Sequence, residues 1–345
     1  MPLFGRRAQP AAPLDGVDVV LADLDGVVYA GAGALPHAVE SLNRAREGRA
    51  IGYITNNASR TDASVAAHLS ELGLSTRPAD VVTSPQAAMR LLSRRVAPGS
   101  KILVVGGEGL VDEVTKAGFI VTRSAEDAPA AVVQGFAPEV GWTQLAEAAF
   151  ALKVPEEDGG IPWIATNTDW TIPQARGVAP GNGTLVSAVH TAVGRLATVA
   201  GKPEVPIFEE AVARFGAQHP IFLGDRLDTD ILGANRAGIP SALVLTGIDR
   251  PKHVLAAPQG SQPTFILGDL RELHEPYPDV VVVNSRATVR GAAVEIDGPD
   301  VRILSQGDRP IDLLRAGAAA IWSTGRAIFG FRVPEQLYAD PFHRP

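Results

Sequence analysis

Two aspartates one residue apart, Asp23 and Asp25, close the apolar run Val19-Val20-Leu21-Ala22 and precede Gly26. Side chains alternate in extended backbone, so both carboxylates point to one side if the strand geometry persists. Two anions held that close need a cation, a shared proton, or both. A solvated turn with two ordinary acids would be spelled the same way, and D-x-D-G alone does not separate the two. Other polar groups stand at corresponding places: Thr55 and Asn56 after residues 50–54, Lys202 between Gly201 and Pro203, and Asp225 and Asp230 after residues 220–223. Small hydroxyl and amide groups can hold phosphate oxygens without bulk. Lysines are usually solvated, but one lodged at a strand-to-helix corner suits an anion. Carboxylates gathered at one site make a hard oxygen cage that favours magnesium with several waters retained. The chemistry that wants this whole set is phosphoryl transfer to a carboxylate, because aspartate can accept phosphate if cations and donors offset the repulsion. Asp23, Asp25 and Asp225 carry three negative charges, which magnesium and Lys202 together would balance; that count leaves Asp230 further out.

For those groups to meet, distant segments must end on one sheet edge, where open α/β sheets bind ligands. Residues 14–86 have the required pattern. Buried strands are expected at 19–22, 50–54 and 80–83, with helices at 36–46 and 61–72 that Gly48 and Gly73 would stop. Residues 87–196 start a fresh α/β pattern, with strands at 101–105, 131–133 and 163–166 and helices at 111–117, 142–152 and 185–193. Residues 197–276 resume alternation and are expected to complete the first sheet, which makes the middle block an insertion. The expectation is therefore an α/β fold, a doubly wound parallel-sheet core at 14–86 and 197–276, an inserted α/β cap at 87–196, and a small α+β appendage at 277–345. In the appendage, strands are expected at 280–283 and 292–296, a turn at Gly298 and Asp300, and a helix over 311–328.

Some segments invite chemistry that the spacing does not support. Gly106-Gly107-Glu108-Gly109 follows a strand, but Asp112 stands where a dinucleotide fingerprint needs its third glycine, so a tight turn is the better account. Asn167 and Asp169 lie in a polar stretch after a strand, and Asn182 and Gly183 precede a helix. Residues of these types are more often turn formers than ligand contacts.

The 345 residues carry a net charge of −7, which argues against nucleic acid or an anionic membrane as main partner. Basic residues pair only at Arg6-Arg7 and Arg94-Arg95. The absence of cysteine removes disulfide and thiolate chemistry and fits a cytoplasmic protein. No stretch has signal-peptide or membrane-span character, and residues 1–13 are expected to be a mobile tail.

Four segments in this order, DLDGV from Asp23, TNN from Thr55, GKP from Gly201 and GDRLDTDI from Gly224, resemble the four motifs of the haloacid dehalogenase superfamily. The middle block is similar to the large C2-type α/β cap of the branch that includes p-nitrophenylphosphatase-like, phosphoglycolate and pyridoxal phosphatases. The resemblance covers residues 14–276 and implies the following roles. Asp23 attacks phosphorus, and Asp25 is general acid and then base. Magnesium is held by Asp23, Asp225 and the Asp25 main-chain carbonyl. Thr55, Asn56 and Lys202 hold the phosphate, and Asp230 positions Lys202 or a metal-bound water. Asn167, Asp169, Asn182 and Gly183 become cap residues facing the substrate, although Gly181-Asn182-Gly183 departs from the branch's small-residue triplet. Dehalogenase members lack the second acid, so Asp25 implies a phosphatase. The implied substrate is a small phosphorylated metabolite, glycerol phosphate first, with pyridoxal phosphate or phosphoglycolate as alternatives. A non-catalytic regulator that binds such a metabolite is the reading from another class. The appendage resembles a reduced acetyltransferase-type fold. Its Arg or Gln followed by spaced glycines is missing, so it is expected to be structural.

Overall fold

The computed structural model describes residues 12–174 and 176–341, and the tail expected over residues 1–13 lies almost wholly outside them. Packing divides the described residues into two compact units, one with residues up to 51 and from 218 on, the other between 52 and 217.

In the first unit, parallel strands run in the order Phe265–Leu267, Ser241–Val244, Pro220–Gly224, Val19–Ala22. Val19–Ala22 and Ser241–Val244 are buried along their whole length, the mark of a sheet covered on both faces. Register pairs Ala22 with Leu223, so the two chains leave the sheet side by side. The strand Ala50–Thr55 begins here, with the Ala50 N–H donating to the Asp18 carbonyl at 3.1 Å. The C-terminal segment forms an antiparallel sheet, Val280–Val283, Arg286–Val289, Ala292–Asp297 and Asp300–Gln306 in sequence order, packed against the helix Pro310–Trp322. That helix was expected to run to 328. It stops at Trp322 because Gly325 takes a positive φ of 65° that breaks the helical path. One apolar cluster joins Leu243, Val254 and Leu255 to Val289, Val294, Leu314 and Ile321. The α+β segment therefore completes a core it shares, with each fully buried Leu or Ile contributing roughly 1.5–3 kcal/mol.

The second unit contains a parallel sheet in the order Thr198–Val199, Trp163–Ala165, Ala131–Gln134, Lys101–Val105, Ile120–Thr122. Thr198–Val199, expected in the first sheet, is the edge of this one. The helix Asn182–Val193 ends at Gly194, and the short return lays the strand beside Trp163–Ala165 as a parallel crossover. The end of Ala50–Thr55 pairs in parallel with Val81–Thr83. The glycine-rich stretch at 106–109 opens the helix Glu108–Lys116 instead of forming an isolated turn. Residues 171–180 form the hairpin Thr171–Gln174 and Gly177–Pro180. The fold class is α/β, with parallel sheets flanked by helices and a small α+β segment at the C-terminus. No helix among the described residues is long and apolar enough to cross a membrane.

Candidate active site

The carboxylates of the first unit converge. Asp23 follows its strand directly, and its N–H continues the parallel pairing onto the Leu223 carbonyl at 2.8 Å. Asp225 follows Pro220–Gly224, and Asp230 sits in the π-helical turn Leu227–Ile231. Each places a carboxylate oxygen within 4.8 Å of the other two, and all three residues are buried. Main-chain donors hold the two later acids. Asp225 Oδ2 accepts from Ile248 N at 2.7 Å, and Asp230 Oδ2 accepts from Asp225 N at 3.1 Å and Arg226 N at 3.2 Å. Gly26, at a φ of 82°, faces the Asp225 carboxylate so closely that a side chain there would overlap it. Such a cage of like charges can hold a hard cation through oxygen.

Sequence reasoning brought Asp23 and Asp225 together and put Asp230 further out. The structure gives Asp230 an oxygen inside the same cluster. The strand ends at Ala22, so the alternation expected to carry Asp25 to the same side does not continue. Asp23 is buried, whereas Asp25 is exposed and pairs through its main chain with Tyr29. Asp249 was missed. Its N–H donates to the Asp225 carbonyl at 3.1 Å, and its Oδ2 accepts from Leu227 N at 2.6 Å, which fixes the start of the π-helical turn. Burial pushes the Asp249 carboxyl above its usual range. No local motif marks it, because its role runs through main-chain contacts.

The second unit holds an amide-rich cluster. Thr55 ends its strand buried, and its Oγ1 accepts from Asn57 N at 3.1 Å, which leaves its own hydroxyl proton to donate elsewhere. Asn56 Oδ1 accepts from Lys202 N at 2.8 Å, and Asn56 Nδ2 donates to the Lys202 carbonyl at 3.0 Å and to the Asp169 carboxylate at 3.1 and 3.2 Å. Asn167 Nδ2 donates to the Asn56 carbonyl at 2.8 Å, and Asn182 Nδ2 donates to the Asn167 carbonyl at 2.7 Å. Gly183 N donates to the Asp169 carbonyl at 2.9 Å, and a side chain on Gly183 would run into the Thr168 carbonyl. Lys202 is only 4% exposed. The structure thus brings Asn56, Asn167, Asp169, Asn182, Gly183 and Lys202 into one bonded network, built from contacts up to 146 residues apart.

Comparison with known proteins decides the family. A profile described as haloacid dehalogenase-like hydrolase matches residues 20–120, and a HAD-hydrolase-like profile matches residues 199–273. The chain is 42% identical over 318 residues to D-glycerol 3-phosphate phosphatase of Mycobacterium tuberculosis, covering 90% of this chain and 87% of that protein. The chain belongs to the haloacid dehalogenase-like hydrolases. Human chronophin is 35% identical over 280 residues, covering 93% of its own length but 75% of this chain. The crystal structure of the Mycobacterium tuberculosis glycerol phosphate phosphatase in complex with magnesium superposes with a TM-score of 0.84 at 40% identity, covering 93% of this chain and 94% of that one.

This haloacid dehalogenase-like hydrolase has one more group of acids among its described residues. Asp62, Asp112 and Glu113 bring carboxylate oxygens within 4.8 Å of one another. The Lys116 ammonium fills that space, at 3.2, 2.7 and 3.2 Å from the three residues. The three acids and Lys116 form one ion-pair node.

Proposed function

We propose that this hydrolase is a magnesium-dependent phosphomonoesterase that converts glycerol phosphate to glycerol and phosphate through a phosphorylated aspartate. The observation that carries the reading is the buried convergence of Asp23 and Asp225, each just past a strand end, with Asp230 of the following π-helical turn, in a chain 42% identical to a glycerol 3-phosphate phosphatase. The donor set is all oxygen, which fits magnesium. Asp23 and Asp225, with the Asp25 main-chain carbonyl, would hold the ion, and a bound magnesium would neutralise charge between the nucleophile and the phosphate. Asp23 attacks phosphorus and the ester oxygen leaves, taking a proton from Asp25. Asp25 then accepts a proton from the water that cleaves the aspartyl phosphate, which returns Asp23 and releases phosphate. Thr55, Asn56 and Lys202 form the phosphate-holding group, and Asp230 keeps the Asp225 segment in place through its main-chain bonds. Residues 87–199, which include the edge strand Thr198–Val199, serve as the cap that selects the alcohol, residues 14–86 and 200–276 as the catalytic core, and residues 277–345 as a structural element.

Phosphate release across a panel of glycerol phosphate, pyridoxal phosphate and phosphoglycolate tests this, with and without magnesium. Glycerol phosphate should give the highest kcat/KM, chelation should remove activity, and magnesium should restore it. Asp23→Asn should lower release by several orders of magnitude with the fold intact. Preference for pyridoxal phosphate would move the substrate within the family, and turnover by Asp23→Asn would refute the nucleophile.

A further inference from the structure

We propose that Asp169 is a positioning residue for Lys202, acting through the side chain of Asn56. The inference rests on the reading above, in which Lys202 holds phosphate. Asn56 grips both main-chain polar atoms of Lys202, its Oδ1 facing the N–H at 2.8 Å and its Nδ2 facing the carbonyl at 3.0 Å. An asparagine amide has two N–H protons. One goes to the Lys202 carbonyl, and the other faces the Asp169 carboxylate, whose oxygens lie at 3.1 and 3.2 Å. The side chain therefore has no proton left for a phosphate oxygen, and Asn56 serves phosphate by fixing the lysine that meets it.

The orientation of that amide is what Asp169 sets. Turned over, the amide would put N–H against N–H and oxygen against oxygen at Lys202. A carboxylate only accepts, so Asp169 holds the Nδ2 edge toward itself and the Oδ1 edge toward the Lys202 N–H, with a charge-assisted bond. Asp169 is itself fixed, since its N–H donates to Asn167 Oδ1 at 3.2 Å and Asn167 Nδ2 returns to the Asn56 carbonyl at 2.8 Å. The three side chains close a ring of bonds around the Lys202 corner. Gly201 leaves no slack there, because a side chain on it would sit 2.5 Å from both Asn56 Oδ1 and the Thr166 carbonyl. A shift of the Lys202 main chain moves its ammonium, and misplacement by about 1 Å can cost about 10²-fold in rate.

The test compares two esters with different leaving groups, glycerol 3-phosphate and p-nitrophenyl phosphate, and measures inhibition by inorganic phosphate. A group acting through Lys202 serves the phosphate, which all three share. Asp169→Ala should lower kcat/KM for both esters by the same factor, about 10²-fold, and weaken phosphate inhibition. Asp169→Asn, whose carbonyl can still accept from Asn56, should recover most of the loss. The double variant Asn56→Ala with Asp169→Ala should fall no further than Asn56→Ala alone. If Asn56→Ala does not fold, the pair of Asp169 variants carries the test. Loss on glycerol 3-phosphate alone would overturn the proposal and make Asp169 a contact to the alcohol, and multiplied losses in the double variant would overturn it as well. Asp23→Asn runs beside these variants, and turnover by that protein would sink the parent reading whatever Asp169 does.

Discussion

Arg315 and the cluster of Asp23, Asp225 and Asp230 are both buried in the first unit, with surroundings of opposite composition. Arg315, 2% exposed, donates to the Ile266 carbonyl, to Asp312 at 2.8 Å and to Glu272 at 2.5 Å, and lies 4.4 Å over the Tyr277 ring. Asp312 and Glu272 are answered in turn by Arg290 and Arg309. Signs alternate through the whole group. Around Asp23, Asp225 and Asp230 carboxylate oxygens come within 4.8 Å of one another, and main-chain N–H groups donate to Asp225 and Asp230. A buried ion that serves the fold needs opposite charge and full hydrogen bonding to offset desolvation. Like charges gathered in one place cost stability, and such arrangements concentrate at functional sites. The Arg315 group docks the C-terminal helix onto the strand Phe265–Leu267, whereas the three aspartates bring together oxygens that could hold a metal ion.

That contrast is broken most sharply at Arg315. Replacement by Met leaves Asp312 and Glu272 facing a buried gap in positive charge, and should lower the unfolding free energy by about 3–5 kcal/mol. Denaturant unfolding measures this, and a loss within error of zero would show that the network is dispensable. The folded fraction should keep its kcat. The aspartate cluster predicts the reverse sensitivity. Magnesium at a hundredfold excess over its Kd should stabilise the protein by about 2.7 kcal/mol, and Asp225→Asn should remove most of that gain. Equal magnesium shifts in the two proteins would put the ion elsewhere. Magnesium should not rescue Arg315→Met beyond its ordinary gain.

The parts that bear on this contrast differed in how plainly they could be read from the sequence. Val19–Ala22 and Pro220–Gly224 stood out because continuous apolar runs stop abruptly at an aspartate, and their bounds were placed to within a residue. Ile120–Thr122 and Phe265–Leu267 were missed, since three residues carry too little pattern to separate strand from loop. The paired strands Thr171–Gln174 and Gly177–Pro180 read as a polar loop in the sequence because Pro173, Gly177 and Pro180 punctuate them. The helix Ser84–Leu92 carried a usable signal that went unread, a capping box from Thr83 to Gln86 with Pro85 in its first turn. Within the site, Asp23 and Asp225 were legible from their places at strand ends. The bonds of Asn56 were not, because they reach 113 and 146 residues along the chain, a distance no local spelling encodes. Nor was the sharing of one core by Leu243 and Leu314, which needs the packing itself.

The smallest effect in this series is expected at Lys116, where the alternation of sign recurs on the surface. Glu113 is 8% exposed, and burial raises its carboxyl above the usual range against the pull of Lys116. A carboxyl raised on folding contributes stability below its ordinary value near 4.5 and loses that contribution as pH rises through the folded value. Removing the ammonium raises Glu113 further and widens the loss on the alkaline side. Burial works against the charge of Lys116, but its bonds to Asp112, Asp62 and Glu113 outweigh that and push its pKa up, so it stays charged at neutral pH. Lys116→Met should therefore cost up to about 1 kcal/mol at pH 8, a surface-pair magnitude because the ammonium is half exposed, and less at pH 4, where the raised Glu113 carboxyl takes up a proton. Thermal melts at the two values measure the difference. A cost that is the same at both would assign Lys116 to packing by its methylenes and set it apart from the Arg315 group, where alternating charge serves stability.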